Sequence, residues 1–258
     1  MMMKKLFLTW QDKVSRKWFP IGALTFEHEV YRFFYIEGAL QAREKADFQP
    51  LVSFPDFRQI YESNELFPMF ANRVMPSSRP EYQETVKFLS LPESSNDPLA
   101  FLARSGGAKV TDKFEIFHYP TLENGKYHMH FFAHSLAYLP KCSVERINQM
   151  KQGDQIHLAQ DFQNPYEPDA LLLHTHDHHI AGYCPTYLLD EMNEMRRNKD
   201  IKVCVERVND ESSPLQFRLL CRLVFPEMSG YRPFSGRYYK PIASKVNQGI
   251  DNQPLAFA

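Results

Sequence analysis

A chain of 258 residues with a formal net charge of −1, 43% hydrophobic and 24% charged, can bury one large core or two small ones. Its composition excludes a disordered chain and a protein that is basic over its whole surface. The start, MMMKKLFLTWQDK, has an apolar run of only five residues, too short for the core of a signal peptide, and no segment reaches the length of a membrane span. Cys142, Cys184, Cys204 and Cys221 show no CxxC spacing, so reduced thiols and a cytoplasmic location are expected.

In chain order, Leu6–Trp10, Trp18–Thr25 and Tyr31–Tyr35 are rich in aromatic and β-branched residues and predict a meander of strands. Residues 48–55 are extended and bounded by proline, and Tyr82, Val86 and Leu89 recur at helical spacing. PESSNDP at 92–98 reads as a linker. A short helix then ends at Gly106-Gly107, before a strand at Phe114–Tyr119. A second β-rich unit opens with Tyr127–Leu139, followed by a helix capped at Ser143 and a strand at Gln155–Gln160. An Asn-Pro-Tyr turn leads into LLLHT, HDHH turns, and IAGY returns as a hairpin. A helix after Pro185 carries Leu188, Met192 and Met195 on one face, and strands are expected at Ile201–Val208 and Leu215–Phe225. The last stretch, rich in Gly, Pro and polar residues, predicts a loosely ordered tail.

Most catalytic signatures are absent: the chain has no GxSxG, HExxH, GxxxxGK[ST], HRD or DFG. Arg104–Lys109 has the wrong spacing for a phosphate loop and reads as a helix C-cap. His174 and His176 project from one face of an extended strand, and with His178 or Cys184 as a third ligand such a pair can coordinate zinc. The alternative is a solvated hairpin tip. Tyr138, Tyr166, Tyr183 and Tyr187 fall in or beside the second unit's strands, where an exposed ring can stack on a base and a buried one packs a core. From Arg196 to Lys245 there are eleven Lys or Arg against five Asp or Glu, a segment that can attract phosphate or simply be solvated. Within it, Arg218 and Arg222 are expected on one strand face.

Several spaced motifs, in order, resemble the HIRAN domain over about residues 127–226: Gly153-Asp154-Gln155 opening a strand, Asp161, Asn164-Pro165-Tyr166-Glu167, Pro168-Asp169-Ala170-Leu171, and Ile180-Ala181-Gly182-Tyr183-Cys184-Pro185. That domain is a modified OB-type barrel found in DNA-processing proteins, and its best understood member captures the 3′ end of single-stranded DNA. The resemblance implies that Asn164, Tyr166 and Glu167 surround a terminal nucleotide, with Tyr138 and Tyr183 as neighbours and the basic strand on phosphate. Two positions depart from the pattern: Glu167 replaces Asp, and Leu136-Ala137-Tyr138-Leu139 replaces an Arg followed by two tyrosines.

About residues 4–90 resemble the small N-terminal subdomain of HipA-type toxin kinases. The likeness is carried by Pro20–Leu24, Tyr31–Tyr35, Pro50–Pro55 and Leu66–Arg73, with no kinase body. The expected fold is α+β, mostly β: a HipA-like domain (1–91), a linker with a helix and strand (92–126), an OB-like HIRAN barrel with two helices (127–230) and a flexible tail (231–258). The expected function is non-enzymatic binding of single-stranded DNA or DNA ends. Asp161, Tyr187, Arg218 and Arg222 complete the candidate site. No cofactor and no membrane partner are expected. The alternatives are a toxin–antitoxin protein that contacts a HipA-like kinase, and a zinc-dependent hydrolase built on His174, His176 and His178.

Overall fold

The computed structural model describes residues 4–93, 96–197 and 201–243. Within them the chain divides into two compact units, one drawn from 4–82, 96–122 and 228–243 and the other from 83–93 and 123–227. The architecture is mostly β, with two antiparallel sheets.

In the first unit, β1 (Lys4–Gln11), β2 (Trp18–Glu27) and β3 (Val30–Tyr35) form the expected meander, and β4 (Tyr61–Ser63), absent from the sequence expectations, pairs with β3. After α1 (Glu37–Ala46), α2 (Pro68–Ala71), α3 (Tyr82–Phe88), which apart from Tyr82 belongs to the second unit, and α4 (Pro98–Ser105) comes β5 (Phe114–His118), which pairs with β1 at the sheet's far edge. The sheet order is β4-β3-β2-β1-β5. One face buries Leu6, Leu8, Phe33, Tyr35, Phe54 and Phe70. Phe33 stacks on Phe54 at 4.0 Å. The Tyr35 hydroxyl donates to the Phe54 carbonyl at 2.8 Å and accepts from the Leu51 amide at 2.7 Å, so one buried phenol fixes the proline-bounded segment. The helix α1 is absent from the sequence expectations. It is covered by small residues, Gly38, Ala39 and Ala42, which give little periodic apolar signal. Gly38 is required there, because a Cβ would stand 1.9 Å from the Pro20 carbonyl oxygen.

The second unit holds β6 (Thr121–Glu123), β7 (Lys126–Phe132), α5 (Lys141–Asn148), β8 (Gln155–Gln160), β9 (Leu171–His174), β10 (Ile180–Tyr183), α6 (Leu189–Arg197), β11 (Lys202–Val208) and β12 (Leu219–Pro226). The sheet order is β10-β9-β8-β11-β12-β7-β6. Two further hydrogen bonds join β10 to the residues that follow β7: the His134 amide donates to the Tyr183 carbonyl at 2.9 Å, and the Tyr183 amide to the His134 carbonyl at 3.0 Å. They close six strands into a barrel, with α5 and α6 as the two connecting helices. Inward residues alternate with outward ones, and Tyr127, Met129, Phe131, Leu171, Leu173, Val203, Val205, Cys221, Leu223 and Phe225 are buried. Burial pushes the Cys184 and Cys221 thiols up. Asn209 donates to the Phe88 carbonyl at 2.8 Å, tying residues 83–93 to this barrel.

Four expectations are corrected. The strand read over Tyr127–Leu139 ends at Phe132, and Tyr138 lies in a 3-10 turn, Leu136–Tyr138. Ser143 is buried inside α5, whose N-cap is Pro140. In the stretch 92–126, read as a linker with a helix and strand, the helix and strand are present as α4 and β5, but β5 pairs with β1 and completes the first sheet. Residues 231–243 are no loose tail: Phe234 is buried against Phe7 at 5.5 Å and Phe117 at 5.2 Å, and the Ile242 amide donates to the Tyr35 carbonyl at 3.0 Å. Aromatic residues scattered among Gly and Pro supply the burial that composition hides. Residues 244–258 of that expected tail lie outside the described residues. Among the described residues no helix is long and apolar enough to cross a membrane.

Candidate nucleic-acid interface

The loop that follows β8 is built by its own polar side chains. Asn164 Oδ1 accepts the amides of Tyr166 and Glu167, each at 3.0 Å, the geometry by which a short amide side chain forms a turn. Proline between them fixes one backbone dihedral. The Asp161 amide donates to the Ala170 carbonyl at 2.9 Å, closing the base of the loop.

Asp161 also joins the loop to the barrel. Its carboxylate accepts the Tyr183 hydroxyl at 2.9 Å and the Asn164 amide group at 3.4 Å. Tyr183 pairs through its backbone with His134, whose ring meets Tyr187 edge-on at 6.3 Å. Burial first, then the hydrogen bond to Asp161 and its charge, raise the Tyr183 phenol above its ordinary value. Gly182 permits the bridge: at φ +119° its Cβ would stand 2.8 Å from the His134 carbonyl oxygen. The two segments bonded to Tyr183 carry exposed aromatic rings: Tyr138, on the turn after His134, is 88% exposed and, in the loop, Phe162 is 85% and Tyr166 72% exposed. Exposed rings on preformed loops offer faces on which bases stack.

The structure thus brings together Asp161, Asn164, Tyr166, Glu167, Tyr183 and Tyr187, with Tyr138 on the turn that follows His134. Glu167 turns back on the loop, its Oε1 accepting the Asp169 amide at 3.3 Å. Sequence reasoning missed Phe162 and His134. A phenylalanine inside the polar run Asp161–Asn164 was a legible sign, whereas His134 is recognisable only once the barrel closes.

Arg218 and Arg222 do not join this cluster. Arg218 precedes β12, caps a 3-10 turn and is 5% exposed, with its guanidinium on Ser213 and Asn148 at 3.3–3.4 Å. The two arginines therefore do not share a strand face, because strand alternation begins only at Leu219. Arg222 lies on the outer face beside Glu206, 3.4 Å away, and Cys204. The basic segment is also divided, since Arg232, Arg237 and Lys240 belong to the first unit.

The histidines form a row instead of a ligand cage. His157 stacks on His174 at 5.4 Å, and His174 on His178 at 5.9 Å, while His176 is largely solvated. Cys184 donates into the core, to Met192 Sδ. Among the described residues no group of three or more His, Cys, Asp and Glu is gathered to hold a metal ion, so the expected convergence of His174, His176 and His178 does not occur. A cavity of about 490 Å³ is lined by Gln160, Asp169, Asp190, Asn193, Glu194 and Arg196. Its three carboxylates make it unsuitable for a phosphate backbone. Burial and then Asp169 raise the Asp190 carboxyl.

No curated protein matches the chain. Among solved structures it is similar to a protein from Lactobacillus plantarum, at 16% identity over 40% of this chain and 100% of that one, with a TM-score of 0.33. It is also similar to the HIRAN domain of human HLTF, at 17% identity over 39% of this chain and 74% of that one, with a TM-score of 0.30. Residues 126–226 match the family model of the HIRAN domain.

Proposed function

We propose that the barrel is a non-enzymatic binding module for the end of a single DNA strand, seated where the 161–170 loop meets Tyr183. The observation that carries this reading is the preformed loop: Asn164 fixes the backbone of Tyr166 and Glu167, while Asp161 locks the loop to Tyr183. A base stacks on the Tyr166 ring, and the Glu167 carboxylate, with acceptor sites beyond the one used by Asp169, accepts a terminal 3′-hydroxyl. Tyr138 and Phe162 extend the aromatic surface to the next bases.

Titration of a fluorescent single strand into the full chain tests this. Stacking of about 1–3 kcal/mol per base predicts that Tyr166→Ala weakens binding roughly 5- to 150-fold. Replacing the 3′-hydroxyl with phosphate weakens it further. Affinity indifferent to both changes would sink the proposal.

A further inference from the structure

The histidines singled out by the sequence have no place in the end-binding site, yet the sheet register sets them beside it. Ala159 pairs with Leu172 and Leu172 with Tyr183, while His157 pairs with His174. Leu171 and Leu173 are buried in the barrel, so Leu172 and His174 face outward, and their partners share that face. His157 and His174 therefore form the row next to Tyr183's own, two residues along the strands or about 7 Å away. The pairing Ile156↔Val203 continues to place Lys202, on β11, level with His157. His178 extends the row by stacking on His174.

The groups around this row leave its donors available. His174 Nδ1 donates to the Thr175 carbonyl at 2.9 Å, which fixes the ring and leaves Nε2 on its far side. The Asp177 carboxylate lies 3.8 Å from His176 and 3.6 Å from His179, but α5 engages it through Arg146 at 2.9 Å. On the β10 side Ile180 is level with His174 and carries no charge.

We propose that Lys202, His157, His174 and His178 form a track for the phosphates leading away from the strand end held at Tyr183. This rests on the reading of the barrel as an end-binding module. It gives histidine, the side chain that changes charge between pH 5 and 8, the phosphate role that an arginine would otherwise fill. A row spacing near one nucleotide step lets the end and its following phosphates engage together.

The test compares a 3′-hydroxyl dinucleotide with an octanucleotide on the full chain, at about pH 6 and about pH 8. The track predicts that the octanucleotide gains affinity over the dinucleotide, and gains more at the lower pH. His157→Ala/His174→Ala, and separately the exposed Lys202→Gln, reduce that gain roughly fivefold and lower the salt dependence, with dinucleotide binding unchanged. Variants that keep the full length increment at both pH values overturn the track alone. A wild-type chain that binds neither probe overturns the end-binding reading, and the track with it.

Discussion

Asp161 is the residue on which the site turns, because one carboxylate holds both the Tyr183 phenol and the Asn164 side chain. Asp161→Asn removes its charge, so the Tyr183 midpoint moves down toward the ordinary value of 10.0 and stays above it, since burial is the larger cause. Carbon-13 NMR of labelled tyrosine follows that titration. The neutral phenol is the form the fold favours, so its contribution to stability is present below pH 10.0 and is lost as pH rises through the folded-state value. The turn at Asn164 was legible in the sequence because the Asn-Pro-Tyr spacing is itself turn chemistry. Arg218 was misread because nothing local shows that β12 begins one residue after it.

At the scale of elements, the barrel depends on the short bridge between His134 and Tyr183. Gly182→Val places a side chain against the His134 carbonyl at a backbone angle that branched residues avoid. It is expected to cost about 1–3 kcal/mol and to weaken end binding through the displaced Tyr183. Denaturant unfolding and strand titration on the same variant measure both. An unchanged midpoint would contradict the closure described above. Most strands were legible, since alternating buried residues such as Leu171 and Leu173 leave a period of two. The helix α1 was hidden by its small-residue contact face. The end of β7 was hidden because FFAHSLAYL stays apolar through a turn.

At the scale of the whole molecule, chain order and unit order differ: the segment after the barrel returns to the N-terminal unit. Phe234 fills a cluster with Phe7, Phe117 and Tyr239. Phe234→Ala is expected to destabilise the first unit by about 3–5 kcal/mol and to leave strand binding by the barrel intact. Thermal unfolding together with a binding titration checks this, and a fully stable variant would show that the return of the chain is incidental. Sequence order cannot reveal such an exchange, because burial of Phe234 is a long-range contact within a run whose composition is that of a loop.

The central claim is that the loop closed by Asp161 and Asn164 presents Tyr166 to the end of a single DNA strand. Fluorescence anisotropy of one labelled oligonucleotide, ending in a 3′-hydroxyl or a 3′-phosphate, titrated with the wild-type chain and with Tyr166→Ala, tests it most directly. The account predicts salt-sensitive binding of the 3′-hydroxyl strand by the wild type, weakened by a 3′-phosphate and weakened roughly 5- to 150-fold by the loss of the ring. Equal dissociation constants for both ends and both proteins would contradict it.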